Sequence, residues 1–168
     1  MAEFRAQQWI PIELPRVFVF FSDPENLPVI MPPELRVQVE DIKKVDSSDP
    51  GYSEAAGAGT RVVFSFKPFP FIPLRLRWHT RIVDFVPESF FRDLQERGPF
   101  ASWMHTHRFI PEHRNGINGT VITDEVRFTL GFGILGRLME PFVVGRMRSA
   151  FAHRQRRVEE VLSSPKPR

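Results

Sequence analysis

Residues 101–133, ASWMHTHRFIPEHRNGINGTVITDEVRFTLGFG, decide the fold. Apolar and polar side chains alternate on either side of Asn115-Gly116, the dipeptide that best tolerates the left-handed backbone of a tight hairpin turn. Alternation puts Trp103, His105, His107 and Phe109 on one face of the first strand. It puts Ile122, Asp124, Val126 and Phe128 on one face of the second. Pairing outward from the turn sets His107 opposite Asp124, with their Cβ atoms about 5 Å apart.

Outward from this hairpin, the same period of two runs from Leu35 to Leu130. It breaks at Ser47-Ser48-Asp49-Pro50-Gly51, at Pro68 to Pro73, at Arg97-Gly98-Pro99 and around Asn115-Gly116. The breaks predict strands at about 35–46, 58–67, 73–86, 89–96, 101–113 and 119–131, added to an N-terminal strand through Trp9 and Ile12. Alternation in the 73–86 segment places Leu74, Leu76, Trp78, Thr80 and Ile82 on the inward face. Two short helices follow the first strand. One opens at Pro15 and stops near Ser22-Asp23-Pro24, and the other is a turn or two before Pro32-Pro33. From Leu138 the spacing changes to three and four. Leu138, Met139, Phe142, Val143, Met147, Phe151, Val158, Val161 and Leu162 form one face of a long helix, with the basic residues largely between them. Pro141 is expected in or just before its first turn, because deeper inside a helix it costs about 3 kcal/mol.

This order implies an α+β fold: a curved seven-stranded antiparallel sheet that covers its apolar face with the last helix. A deep sheet closed in this way leaves a cavity. Gly98-Pro99-Phe100-Ala101-Ser102-Trp103-Met104-His105-Thr106-His107-Arg108-Phe109, Gly119-Thr120 with Asp124, Gly131-Phe132-Gly133-Ile134-Leu135-Gly136, Met31-Pro32-Pro33 and Trp78 together resemble the START-like, or Bet v 1-like, helix-grip superfamily (SRPBCC). The likeness is to a bacterial ligand-binding branch related to polyketide cyclases and lipid-transfer proteins, and it spans nearly the whole chain. It implies a hydrophobic pocket between sheet and long helix for a lipid or a polyketide-like aromatic molecule. It implies no shared catalytic triad.

The chain has 168 residues, enough for one domain, expected over residues 1–163 with a frayed tail at 164–168. With 42% hydrophobic and 26% charged residues, and no apolar run long enough to span a bilayer, the composition is that of a soluble globular protein. No cysteine is present, which excludes disulfides, thiolate nucleophiles and thiolate metal sites. The start carries no basic flank before an apolar stretch, so a cytoplasmic location is the expectation. The net charge of +3 is uneven: from Arg137 onward there are eight Lys/Arg against three Glu. Only Phe151 interleaves with that basic cluster, which argues for a solvated helix face and against a nucleic-acid partner.

Pocket candidates follow from the inward faces: Trp78, Thr80, Trp103, His105, His107, Asp124 and Phe128 from strands, and Met147 and Phe151 from the helix. Catalytic candidates are His107 as general base, Asp124 fixing its tautomer, and His105 as a second proton donor. Their bland alternative is a buried polar set satisfying itself under the helix. His105-x-His107 with Asp124 also has the donor types of a metal site, but two His at strand spacing arise by chance, so neither metal nor other cofactor is expected. Gly131 to Gly136 matches G-x-G-x-x-G, yet no second parallel strand follows it, so the glycines are read as a sheet-to-helix corner. Asn118-Gly119-Thr120 fits a glycosylation sequon and is read as hairpin chemistry. In Pro68-Phe69-Pro70-Phe71-Ile72-Pro73, prolines forbid ladder pairing. The apolar Phe69, Phe71 and Ile72 beside Lys67, Arg75 and Arg77 suit a pocket lid or a membrane contact.

Overall fold

The chain folds as the alternation dictates. The computed structural model describes residues 1–45, 56–69 and 71–164. The strands are β1 (Ala2–Ile10), β2 (Gln38–Lys43), β3 (Arg61–Phe66), β4 (Leu76–Val86), β5 (Phe90–Arg97), β6 (Ser102–Arg114) and β7 (Ile117–Thr129). The helices are α1 (Leu14–Ser22), the single turn α2 (Leu27–Ile30) and α3 (Gly133–Ser163). One antiparallel sheet runs in the order β1-β7-β6-β5-β4-β3-β2. This is the α+β helix-grip architecture. The expected break at Ser47 to Gly51, strand position Asp46, loop residue Pro70 and tail residues 165–168 lie outside the described residues.

Local chemistry explains the boundaries. Pro15 sits in the first turn of α1, where its missing N–H is harmless. The helix ends at Asp23, whose carboxylate accepts from the Glu25 backbone N–H at 3.0 Å. Register shifts in the β4–β5 pairing, at His79/Thr80 and Ile82/Asp84, mark bulges, which bend a strand and sharpen its twist. The β6–β7 turn is the two-residue Asn115-Gly116, with φ of 50° and 80°, and His107 stands opposite Asp124 as expected. Asn118, Gly119 and Thr120 lie in β7 and not in the turn, because the tighter turn lets pairing begin at Ile117. Gly119 is there for space: a Cβ would stand 2.5 Å from the Ile10 carbonyl oxygen and 2.7 Å from the Trp9 ring. Leu74 precedes β4 and is exposed, so the inward face of that strand begins at Leu76.

α3 corrects two expectations. Phe132 and Gly133, with φ of 68° and 56°, turn the chain out of β7 immediately, and Gly136 lies so close that a Cβ would stand 2.0 Å from the Gly131 carbonyl oxygen. The helix therefore starts at Gly133, and Pro141 falls inside it, on an exposed stretch where solvent can satisfy the carbonyl that loses its partner. Leu138, Met139 and Phe142 are exposed, because the apolar face packs on the rest of the chain only from Val143 onward.

The core divides in two. One cluster gathers Ile10, Val17, Phe18, Phe91, Phe109, Ile122, Val158 and Leu162. The other gathers Val126, Phe128 and Met147, with Phe4, Trp103 and Phe151 packed on it. Along β6, β7 and α3 the positions between the clusters are His107 and His105, Asp124, and Arg154. A belt of ionisable groups thus crosses the interior.

Candidate functional site

Sheet curvature and α3 enclose a cavity of about 800 Å³. Trp78, Thr80, Trp103, His105, His107, Met147 and Phe151 all line it. Asp124 and Phe128 are not part of the lining, being buried behind the wall. The wall is aromatic. The Trp78 ring lies 5.2 Å from Phe64, 5.3 Å from Phe100 and 4.8 Å edge-on from Trp103. Such pairs hold one another in tilted and edge-to-face geometry, which keeps the wall in place without filling the space. Trp78 Nε1–H is buried with no hydrogen-bond acceptor among the described residues.

Asp124 organises the polar belt. Its Oδ1 lies 3.0 Å from His105 Nε2, 2.7 Å from His107 Nδ1 and 3.5 Å from Arg154 Nη2. Arg154 is 7% exposed, and its guanidinium is sandwiched 4.9 Å from the Phe21 ring centroid and 5.3 Å from that of Phe151. Burial alone would raise the Asp124 carboxyl, but Arg154 and the two imidazoles outweigh it and hold the group well below the usual carboxylate range. An ionised oxygen at 2.7 Å requires a proton on His107 Nδ1, since two lone pairs would otherwise meet. Arg154 Nη2, 3.4 Å from the same nitrogen, therefore approaches an N–H there and is oriented by the carboxylate.

A second acid faces the other side of both rings. Asp93 Oδ2 on β5 stands 3.9 Å from His105 Nδ1 and 3.8 Å from His107 Nε2. Burial pushes its carboxyl above the usual range, against the pull of His105 and Arg154. His107 is lowered to about 3, first by burial and then by the neighbouring His105. Neutral imidazole is its state at physiological pH.

Sequence reasoning assembled His105, His107 and Asp124 and missed Asp93 and Arg154. Asp93 shares its alternation with Phe91, which was a signal. Arg154 was placed on the solvated face of the helix, and the structure instead buries it against Asp124.

No family model matches the chain, and no curated protein matches it. Solved structures do. One, from Thermus thermophilus, is 24% identical with a TM-score of 0.68, covering 97% of this chain and 100% of that one. Ara h 8.0201 is 14% identical with a TM-score of 0.64, covering 98% and 99%. A START superfamily protein from Mycobacterium smegmatis is 10% identical with a TM-score of 0.65, covering 95% and 96%. At these identities the likeness is one of fold.

Proposed function

We propose that this chain, whose fold is START/Bet v 1-like, is a binding module over residues 1–163 for one small hydrophobic molecule of the lipid or polyketide-like aromatic kind. The observation that carries this reading is the cavity of about 800 Å³, with a largely aromatic wall and the buried His105–His107–Asp93 group at its floor. Apolar walls supply affinity and a few fixed polar groups supply orientation. The unpartnered Trp78 Nε1–H is a further donor for a ligand oxygen. Binding is favoured over cyclase or dehydratase chemistry because His107, lowered to about 3, is a weak base at neutral pH.

Native mass spectrometry of gently purified protein is expected to show a stoichiometric apolar adduct that leaves on denaturation. Displacement of anilinonaphthalene sulfonate then gives affinities. Ala150→Trp, which fills the cavity from α3, is expected to weaken probe binding at least about tenfold, since one lost bulky contact is worth over about 1.4 kcal/mol. Equal affinity in the two proteins would remove the cavity from the binding site.

The cavity mouth supports a second, compatible role in contact with an anionic membrane. Phe71 is 95% exposed and Phe132 91% exposed, and Phe69 and Phe142 line the cavity while staying partly exposed. Arg146 donates to the Pro68 carbonyl at 3.1 Å, tying the loop to α3. Between Gly133 and Arg148 the helix carries Arg137, Arg146 and Arg148 against Glu140 alone, beside exposed Ile134, Leu135 and Leu138. An aromatic residue held in a left-handed backbone costs about 1–3 kcal/mol, and Phe132 gains no burial in return. No helix among the described residues is long and apolar enough to cross a bilayer, so contact at the surface is the form proposed. Flotation with phosphatidylglycerol vesicles is expected to recover the protein, and with phosphatidylcholine vesicles to recover little. A Phe71→Ser/Phe132→Ser double variant that floats as well as wild type would refute the contact.

A further inference from the structure

The polar floor has a second chemistry, independent of any organic ligand. Asp93, His105 and His107 each offer one donor atom, and the three lie within 4.8 Å of one another. The Asp93 oxygen is 3.9 and 3.8 Å from the two imidazole nitrogens that face it, too far for hydrogen bonds. Donors bound to one tetrahedral ion at its usual bond lengths stand about 3.4 Å apart, so small side-chain movements close the set.

The other nitrogen of each ring is accounted for. His105 Nε2 and His107 Nδ1 both lie on Asp124 Oδ1, at 3.0 and 2.7 Å. Each ring thus turns one nitrogen to Asp124 and leaves the other facing Asp93. A carboxylate behind a liganding imidazole is the usual outer support of a metal centre, fixing both tautomer and ring angle. Here a single carboxylate supports two rings, one from each of two alternate positions of β6.

Charge points the same way. The buried belt holds two acids, Asp93 and Asp124, and one cation, Arg154, which is placed on Asp124 at 3.5 Å. Among the described residues no Arg or Lys forms an ion pair with Asp93. Its carboxylate, 19% exposed, opens into the cavity with both imidazoles, whereas Asp124 does not. Asp93 thus has no cation of its own on the side where the two imidazoles face it.

We propose that Asp93, His105 and His107 form a binding site for a single divalent first-row transition ion such as Zn²⁺, with Asp124 as the positioning carboxylate behind both rings. Two neutral imidazoles and one carboxylate, with no thiolate, select this class of ion over Mg²⁺ and Ca²⁺, which take all-oxygen sites. Three protein donors leave a coordination position directed at the cavity, where a ligand oxygen could complete the set. The sequence reading weighed Asp124 beside the two histidines as donor types and expected no metal; Asp124 stands behind the rings, and Asp93 takes the place of third donor.

The test uses the whole chain, stripped with a chelator and titrated with Zn²⁺ by calorimetry and with Co²⁺ by visible absorption at neutral pH. One equivalent is expected to bind, with the ligand-field spectrum of a low-symmetry nitrogen and oxygen site, and Zn²⁺ is expected to raise the melting temperature. Asp93→Asn removes the anionic donor while keeping its shape, so it is expected to stay folded and to lose at least about 100-fold in affinity. Asp124→Asn is expected to lose about 10–100-fold, as supporting carboxylates do. His113→Gln, on the exposed hairpin, is expected to change nothing. Sub-stoichiometric binding, or an affinity unaltered by Asp93→Asn, would overturn the site, and so would a loss in His113→Gln as large as that in Asp93→Asn. If Asp124→Asn does not fold, the Asp93→Asn result decides alone.

Discussion

An Arg154→Met variant is expected to lose about 3–5 kcal/mol of stability in urea denaturation at neutral pH, because it strands buried acids without their cation. Met matches the stem and keeps contact with Phe21 and Phe151, so the loss is electrostatic and not a cavity effect. The pH dependence separates the two. Asp124 sits below its unfolded value of 3.8, so its contribution is present above that pH and disappears as pH falls. His107 is lowered to about 3 from 6.5, so the unfolded chain binds its proton first and wild-type stability declines as pH falls through that interval. Asp93 is shifted the opposite way and partly offsets the decline, since the folded chain then holds its proton more readily. Removing Arg154 takes away the largest lowering influence on Asp124 and lesser ones on Asp93 and His107, so the folded variant binds protons more readily and the gap between wild type and variant is expected to narrow as pH falls below about 6. A loss under about 1 kcal/mol, constant from neutral to acid pH, would mean that Arg154 only packs.

Phe18→Ala is the second large effect, again about 3–5 kcal/mol. Phe18 is 0% exposed and meets Phe85 and Phe109 edge-on, each at 5.3 Å, and Phe91 at 6.2 Å. α1 has nine residues, too few to persist as a helix without docking. Phe18 is the largest of the side chains that dock it, beside Leu14 and Val17. The consequence reaches the ligand site, because Phe20 and Phe21 line the cavity and Phe21 covers the Arg154 guanidinium. Probe affinity is expected to fall in Phe18→Ala even at temperatures where the protein remains folded. A control at Phe20, on the rim, is expected to lower affinity with a smaller stability change. Equal effects at both positions would show that α1 is held by other contacts.

The elements of this fold were legible because each has its own local cause. Alternation set the strand faces, Asn115-Gly116 set one register, and through it the juxtaposition of His107 with Asp124. The start of α3 was misplaced because Pro141 was weighed as a breaker, while the corner at Phe132-Gly133 had already turned the chain and left the proline on a wet face. Arg154 was assigned to solvent by residue type. Its position says otherwise: Met147, Phe151, Arg154, Val158 and Leu162 follow one another at steps of three and four, so the apolar stripe passes through the arginine. Asp93 was harder, since its meaning depends on β5 lying beside β6. Alternation gives a face, but only sheet order says which groups meet across it.

The sheet order has one more consequence, in time. β1 pairs only with β7, joining Ala2 to Phe128 and Ile10 to Thr120. More than a hundred residues must be gathered before the opening strand finds its ladder, and α3, which packs on β1, comes later still in the chain. Closing so long a loop before any contact rewards it places folding in the slow regime of milliseconds to seconds. During that interval the β2-to-β7 meander presents the unpaired β7 edge and the half-finished aromatic wall together. The step that adds β1 thus covers the long β7 edge and lets α3, which packs on β1, close over the wall, leaving β1 and the short β2 as the edges of the sheet.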